Sequence, residues 1–175
     1  IVLQESYAKA VMDGTGPEAL ILLEHLHVIT LGRGFHKENL LMSPELLAER
    51  GITVEETGRG GDVTYHGPGQ VVGYPILNIS NKPDLHLYLR NLEELMIRTV
   101  GDFGIQADRK QGMTGIWVND EKIGAIGVRV VRWVTSHGFA LNVNTDLKYF
   151  DYIVPCGIKQ FGVTSLQKLL GHEVS

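Results

Sequence analysis

The sequence predicts an α+β fold with a mostly antiparallel or mixed sheet flanked by helices. Apolar and β-branched segments come in runs, whereas an α/β fold would alternate strands and helices regularly. The 175 residues are 43% hydrophobic and 21% charged, which is typical of a globular chain with a sizeable core. The length fits one domain, and no internal repeat or Pro/Ser-rich linker divides the chain. We therefore expect a single domain over residues 1–175.

In the first half of the chain, local patterns predict two helices and three strands. Val2–Met12 ends at the turn sequence Asp13–Pro17, which predicts a short helix followed by a turn. Ser43 is a good helix N-cap, Pro44 suits the first helical position, and Gly51 then ends a short helix. The predicted strands, which are apolar, β-branched or alternating, are Ala19–Glu24, His27–Leu31 and Ile52–Glu56.

The second half of the chain begins with its clearest helix, from about Asp84 to Phe103. Apolar residues recur there at spacings of three and four, which indicates a face packed on a core rather than a partner-binding helix. Ile116–Val118 and Lys122–Arg132 flank Asn119-Asp120 and predict a hairpin with a tight turn. The remaining predicted elements are strands over Val134–Val143 and Tyr152–Pro155 and a helix over Thr164–Leu170.

Charge and composition exclude several classes of function. The net charge is −4 and no block of Lys or Arg occurs, so the basic footprint of a nucleic-acid-binding protein is missing. The longest apolar runs, such as Ala19–Leu23, fall far short of the roughly 20 residues of a membrane span. The single cysteine excludes an intrachain disulfide framework and an all-cysteine metal site. We expect a cytoplasmic protein that binds neither nucleic acid nor membrane.

The most unusual segment is Arg59–Gln70, with the sequence RGGDVTYHGPGQ. Six of the chain's 21 glycines fall within the sixteen positions from Gly58 to Gly73, among polar donors and acceptors. Such a segment can be a glycine-rich hairpin with a surface turn, or a backbone brought close to a ligand. It is not a phosphate-binding loop, because it lacks both the P-loop and the dinucleotide-binding glycine patterns.

Cys156, between Pro155 and Gly157, is either a small buried apolar residue or a nucleophile. A free thiol has a pKa of about 8.5, so a nucleophilic role requires a nearby cation or base. Lys122 follows the predicted hairpin turn and precedes small residues, where it is either a solvated lysine or one that a substrate approaches.

Histidines supply the other candidate groups. His25 and His27 lie two positions apart, a spacing that on a strand puts both on one face, but without a third ligand they indicate a metal site only weakly. His66 and His137 each precede a glycine in the unusual segments, where either can hydrogen-bond a carbonyl or shuttle a proton.

Four segments together resemble one family, the octanoyl-[acyl-carrier-protein]–protein N-octanoyltransferases, also called the lipoate–protein ligase B family. They are Arg59–Gln70, Lys122–Gly127, Ser136–Val143 and Pro155–Ile158. The resemblance runs from Leu22 to Leu166 in the family's order and spacing, with slight departures such as Val71 where Leu is commoner. Members of the family typically extend beyond the position at which this chain ends.

The resemblance implies the catalytic-domain fold of the biotin and lipoate protein ligases, with no cofactor and no metal. It implies a catalytic dyad of Cys156 and Lys122, with His66 as a third catalytic candidate whose role is least defined. The segments that it assigns to acyl binding contain Arg59, Gly60, Gly61, Asp62, Val63, Thr64, Tyr65, His66, Ala125, Ile126, Gly127, Gly138, Phe139 and Ala140.

The implied reaction moves an octanoyl group from acyl carrier protein, through a thioester on the cysteine, to a lysine of a lipoyl domain. The implied acceptors are the lipoyl domains of 2-oxoacid dehydrogenase complexes and the glycine cleavage H protein. Because acyl carrier protein is acidic, we expect a local basic patch. Its candidate members, which are equally compatible with ordinary solvated charges, are Lys37, Arg109, Lys110, Arg129 and Arg132.

Three other functions remain open at this point. An ATP-dependent lipoate or biotin ligase on the same fold would activate a free acid and need no cysteine. A non-catalytic acyl-carrier-protein binding module would not need Cys156, and a cysteine hydrolase would use water as the acceptor.

Overall fold

The structure is a computed structural model that describes residues 2–154 and 161–175. The strands of these residues, in chain order, are β1 (Ala19–Leu23), β2 (Val28–Leu31), β3 (Thr53–Glu56), β4 (Val63–His66), β5 (Gln70–Ile76), β6 (Ile116–Val118), β7 (Glu121–Val131), β8 (Val134–Asn142) and β9 (Gly162–Val163). The helices are α1 (Val2–Met12), α2 (Pro44–Ala48), α3 (Leu85–Gly101) and α4 (Leu166–Leu170), with short 3₁₀ helices at Lys37–Asn39 and Leu147–Tyr152.

The strands form two sheets of mixed direction, as the sequence predicts. The large sheet has the order β1-β5-β8-β7-β6, with β9 added in parallel to β7. The small sheet has the order β3-β2-β4, in which β3 is parallel and β4 antiparallel to β2. The Arg59–Gln70 segment therefore connects the two sheets, and the hairpin interpretation of it is wrong because β4 and β5 never pair.

The helix predictions are confirmed, and three of the four helices begin at a side-chain cap. Ser43, Asp84 and Ser165 accept hydrogen bonds from backbone N–H groups of α2, α3 and α4, respectively. These bonds satisfy donors that have no partner within the helix. The first helix matches its predicted bounds, and the last helix begins two residues later than predicted.

The predicted hairpin is also confirmed, and it leads into a second one. Val118 pairs with Glu121 across the turn at Asn119, which has a φ of +53°. The β7–β8 hairpin then turns at Arg132 and Trp133, both of which have positive φ values. Such left-handed residues match the twist of a tight two-residue hairpin.

The prediction of a strand over Tyr152–Pro155 is wrong for Tyr152, Ile153 and Val154. Pro155 lies outside the described residues. Leu147–Tyr152 is a 3₁₀ helix whose N-cap is Asp146, and Ile153 forms only an isolated bridge with Leu40. Phe150 and Ile153 both pack into the core behind the small sheet. Tertiary packing therefore decides the local structure here, despite the β-prone sequence.

Two of the three apolar cores of the described residues lie on the outer faces of the two sheets, and the third packs α1 on β5 and β8 through Ala8, Val11, Ile76 and Val134. On the large sheet, Leu92, Met96 and Val100 of α3 pack against Phe139 and Leu141. The core behind the small sheet has the fully buried members Ile29, Leu47, Val63 and Tyr65. The α1 helix covers part of the inner face of the large sheet, and the rest of the space between the sheets is available for a site. Across the described residues, none of the helices combines the length and apolar content that a bilayer-spanning segment requires.

Candidate active site

A cavity of about 1060 Å³ lies between the two sheets. The small sheet contributes Thr30, Thr64 and His66 to its wall. The large sheet contributes residues of its three central strands, and these are Val72, Tyr74, Ala125, Ile126, Gly127, Gly138, Phe139 and Ala140. The volume is at the upper end of the range for small-molecule sites.

Small residues leave this space open. Ala125 lies directly opposite Ala140 across the β7–β8 pair, and Gly127 lies directly opposite Gly138. Directly opposed residues of paired strands point to the same face of the sheet, so the four form one patch of low side-chain volume. Larger side chains on this patch would fill the gap between the sheets. The predicted acyl-binding segments of β7 and β8 therefore meet on the cavity wall.

Arg59 and Gly60 tie the two sheets together beside this patch. The Arg59 guanidinium is buried and donates to the Thr30 carbonyl (2.6 Å), the Thr30 hydroxyl and the Gly60 carbonyl. Gly60 N donates to Val128 O of β7 at 2.8 Å. A Cβ at Gly127 would come within 2.9 Å of Arg59 Cδ, so the loop and the strand are in close contact. Arg59, Gly60 and Gly61 all line the cavity.

The predicted binding segment divides between the two faces of β4. Thr64 and His66 line the cavity, whereas Val63 and Tyr65 are fully buried in the core behind the small sheet. Alternation of side chains along a strand enforces this division. Asp62 also lies off the cavity wall, where it accepts hydrogen bonds from the N–H groups of His36 and Val63. Asp62, Val63 and Tyr65 thus hold the segment in place from behind the wall.

His66 is held by a chain of hydrogen bonds across the large sheet. Its Nδ1 lies 2.7 Å from Gln70 Oε1, and Gln70 Nε2 donates to Asn142 Oδ1 at 2.8 Å. Asn142 Nδ2 in turn donates to Thr164 O, and Thr164 N donates to Lys122 O. Because Gln70 Nε2 donates to Asn142 Oδ1, Gln70 Oε1 is the atom that faces His66, and it accepts from His66 Nδ1–H. In the neutral ring the proton is therefore on Nδ1, and Nε2 is the unprotonated nitrogen.

Burial keeps the histidines of the cavity neutral. Burial is the main cause that lowers the pKa of His66 to about 4, although the hydrogen bond to Gln70 acts in the opposite direction. Burial and the nearby Arg59 lower the pKa of His137 to about 4, and burial lowers the pKa of His25. His25 Nε2 also hydrogen-bonds Tyr74 OH at 2.6 Å. In the described part of the chain, no set of three or more His, Cys, Asp or Glu is arranged to hold a metal ion.

Lys122 lies at the β9 side of the cavity, and only 9% of it is exposed. Its Nζ lies 4.7 Å from the centroid of the Trp117 ring. An ammonium at this distance from an aromatic face is stabilised by a cation–π interaction. Phe161 packs edge-on against the same indole ring. Cys156 lies outside the described residues, so its pairing with Lys122 stays a prediction.

Sequence reasoning missed Trp117, Gln70 and Asn142 as site residues. Gln70 and Asn142 are polar residues that are 2% and 5% exposed on otherwise apolar strands, and that contrast was a detectable signal. Trp117 carried no such signal, because an aromatic residue in a strand is ordinary.

Most of the predicted basic patch is paired with carboxylates. Arg109 pairs with Glu93 and Glu94, Lys110 pairs with Asp120, and Arg132 pairs with Asp13. The Arg129 side chain lies against Gly58, and Lys37 begins a 3₁₀ helix. The described residues therefore give little support to a patch made of all five.

The sequence model of the family described as "Lipoyl protein ligase A/B catalytic domain" matches residues 1–175. The chain belongs to this family. It is 56% identical over 168 residues to the octanoyltransferase of Solibacter usitatus, an alignment that covers 95% of this chain and 76% of that protein. It is 51% identical over 175 residues to the octanoyltransferase of Geobacter metallireducens, covering 99% and 79%. The resemblance drawn from the motifs is confirmed, and so is the expectation of an acyl-transferring enzyme.

Solved structures of the lipoyl protein ligases share the fold. A crystal structure of lipoate-protein ligase A bound with ATP superposes with a TM-score of 0.78 at 17% identity, covering 97% of this chain and 72% of that one. A bipartite lipoate protein ligase from Thermoplasma acidophilum gives 0.72 at 16% identity, covering 97% and 71%. The predicted ligase-like fold is confirmed.

The buried His66 predicts an acid-sensitive fold. Its pKa is about 4 when folded and about 6.5 when unfolded, so the unfolded state binds more protons between these values. The stability that the neutral ring confers is complete above pH 6.5 and is lost as the pH falls towards 4. His66→Gln should reduce the fall in unfolding free energy over this window by roughly 3 kcal/mol.

Urea unfolding at a series of pH values measures this effect. His172→Gln is the control, because His172 is exposed near the end of α4, and it should keep the pH dependence of the parent. A His66→Gln protein with the same pH dependence as the parent would contradict the assignment of a buried neutral ring.

Proposed function

We propose that this enzyme transfers an octanoyl group from acyl carrier protein to a lysine of a lipoyl domain, through a thioester on Cys156. The observation that carries the proposal is the cavity between the sheets, which is lined by small residues and has Lys122 on its wall, in a chain of this family. The curated relatives described above are named octanoyltransferases, which supports octanoyl as the acyl group.

The octanoyl chain lies against the Ala125, Ala140, Gly127 and Gly138 patch. Its seven carbons beyond the carbonyl contribute roughly 5–6 kcal/mol if they are fully buried, at about 0.8 kcal/mol per CH₂. This energy is enough to select octanoyl over short chains. One methylene more or less changes binding by only about 1–3 kcal/mol, so neighbouring chain lengths compete.

In the first half-reaction, the Cys156 thiolate attacks the carbonyl carbon of the carrier thioester. The carrier thiolate leaves and takes up a proton, and the acyl group stays on Cys156 as a new thioester. Lys122 assists as a cation, because a positive charge nearby lowers the pKa of a thiol. The Trp117 ring, 4.7 Å from Lys122 Nζ, supports this role because it favours the charged form of the amine. The packing of Phe161, five residues after Cys156, on the same ring is also compatible with it.

In the second half-reaction, the lysine amine of the acceptor attacks the enzyme thioester and the Cys156 thiolate leaves. The amine must lose a proton as the amide forms. His66 takes this proton at Nε2, directly or through a water, because its Nδ1 is engaged by Gln70 and its ring is neutral at pH 7. This role separates the two candidate bases, with Lys122 acting as a cation and His66 as the proton acceptor.

The acceptor and the location remain parts of the proposal. The Thermoplasma acidophilum structure is described as a lipoate protein ligase and its E2 lipoyl domain, which supports a lipoyl domain as the acceptor of this related fold. The lipoyl domains of 2-oxoacid dehydrogenase complexes and the glycine cleavage H protein are the acceptors to test, and the cytoplasmic location stays a prediction.

The reaction should require Cys156 but not ATP. Purified protein incubated with octanoyl-acyl carrier protein and a lipoyl domain should acylate the domain without nucleotide, since a thioester is already activated for amide formation. Cys156→Ser should lower this transfer by at least about a hundredfold. Mass spectrometry of the lipoyl domain measures the product.

The same assay separates the alternative functions. Transfer that occurs only with free octanoate and ATP would indicate a ligase. Release of octanoate without acceptor modification would indicate a hydrolase. Unchanged carrier binding with no transfer by the parent protein would indicate a binding module.

The small-residue patch predicts an engineered change in chain length. Ala125→Leu should lower kcat/KM for octanoyl transfer by about 10- to 100-fold and affect butyryl transfer much less, because the added side chain occupies space that the longer chain needs. Parallel assays with octanoyl- and butyryl-acyl carrier protein measure the ratio of the two kcat/KM values. Ala48→Leu, at an exposed position on α2, is the matched control and should leave the ratio unchanged. Equal losses for both acyl groups in Ala125→Leu would contradict the proposed position of the chain.

A further inference from the structure

Glu93 is a buried carboxylate that the proposed reaction does not use. It lies on the inward face of α3 with Leu92 and Met96, and it is only 1% exposed. Its Oε2 accepts from Arg90 Nη1 at 2.6 Å and from Arg109 Nε at 3.0 Å. A charge in such a place is costly unless partners and hydrogen bonds satisfy it, so its position calls for an explanation.

The second oxygen of this carboxylate binds the backbone beside Lys122. Glu93 Oε1 accepts a hydrogen bond from Gly115 N at 3.1 Å. Gly115 has a φ of +114°, and a Cβ there would lie 2.5 Å from Gly124 O and 3.5 Å from Lys122 Cε. A side chain at Gly115 would therefore meet the Lys122 side chain, and the positive φ also favours glycine at this position.

Gly115 belongs to a closed loop that also carries Trp117. Asp108 and Trp117 exchange two backbone hydrogen bonds, of 2.8 and 2.9 Å, which close the loop over residues 108–117. Met113 and Thr114 of the same loop line the cavity. Glu93 holds the loop on both sides, through the Arg109 side chain on one and Gly115 N on the other.

We propose that Glu93 is a positioning residue for Lys122. By binding Arg109 and Gly115, it fixes loop 108–117 so that the Gly115 backbone and the Trp117 ring bracket the Lys122 side chain. The inference rests on the proposed function, in which Lys122 lowers the pKa of the Cys156 thiol. It gives the buried carboxylate a role in orienting the amine, beyond the stability of the fold.

The matched variants for a test are Glu93→Asp and Glu94→Asp. Each one shortens a carboxylate that binds Arg109, but only Glu93 also binds Gly115 N. Glu94 is 41% exposed and pairs with Arg98 as well. Glu93→Gln is a third variant, which keeps an oxygen for Gly115 N–H and removes the charge that pairs with the two arginines.

The readouts are kcat for octanoyl transfer and the pH dependence of Cys156 alkylation by iodoacetamide, which is specific because the chain has one cysteine. Glu93→Asp should lower kcat about tenfold and raise the alkylation midpoint by about one pH unit, because a displaced Lys122 no longer favours the thiolate. Glu94→Asp should match the parent in both. Glu93→Gln should lose thermal stability and raise the midpoint by less than Glu93→Asp does, because its amide oxygen still accepts from Gly115 N while its hold on Arg109 is weakened.

A folded Glu93→Asp protein with the parent's midpoint and kcat would overturn the inference, as would equal shifts in Glu94→Asp. If Glu93→Asp does not fold, Glu93→Gln decides, because a folded Glu93→Gln protein with the parent's midpoint and kcat would then overturn the inference. Failure of the proposed function gives a different result, since the parent protein itself would then show no Cys156-dependent transfer.

Discussion

The site depends on one contact between its two sheets. Gly60 N donates to Val128 O beside Arg59, and this bond holds the small sheet against the edge of β7. The directly opposed pairs Ala125–Ala140 and Gly127–Gly138 keep the space next to this contact empty. Because the loop joins the sheets while the strands supply so little side-chain volume, the fold encloses a cavity where two sheets would otherwise pack face to face.

Two titratable groups of the cavity lie in different surroundings. The Lys122 Nζ lies over the Trp117 ring, whereas burial lowers the pKa of His66 to about 4 and keeps the imidazole neutral at pH 7. The backbone bond between Thr164 and Lys122, together with the Asn142 and Gln70 amides, links the two groups through one network. In the proposed reaction, Lys122 supplies positive charge to the thiol and His66 accepts the proton of the attacking amine.

Local pattern was sufficient to predict most elements, and the motifs were sufficient to predict the family. The period of α3 and the turn residues of the β6–β7 hairpin are properties of short segments, so the sequence specifies them directly. The motif Arg59–Gln70 could not show that Thr64 faces the cavity while Tyr65 faces the core, since that requires knowing which face of β4 is covered. The Glu93–Gly115 bond joins residues 22 positions apart, and no local signal indicates it.

The proposed function requires Cys156 to carry the acyl group between donor and acceptor. Intact mass spectrometry of the protein after brief incubation with octanoyl-acyl carrier protein, without an acceptor, tests it most directly. We expect a mass increase of one octanoyl group that hydroxylamine removes and that Cys156→Ser abolishes. An adduct that persists in Cys156→Ser, or no adduct on an enzyme that still acylates lipoyl domains, would contradict it.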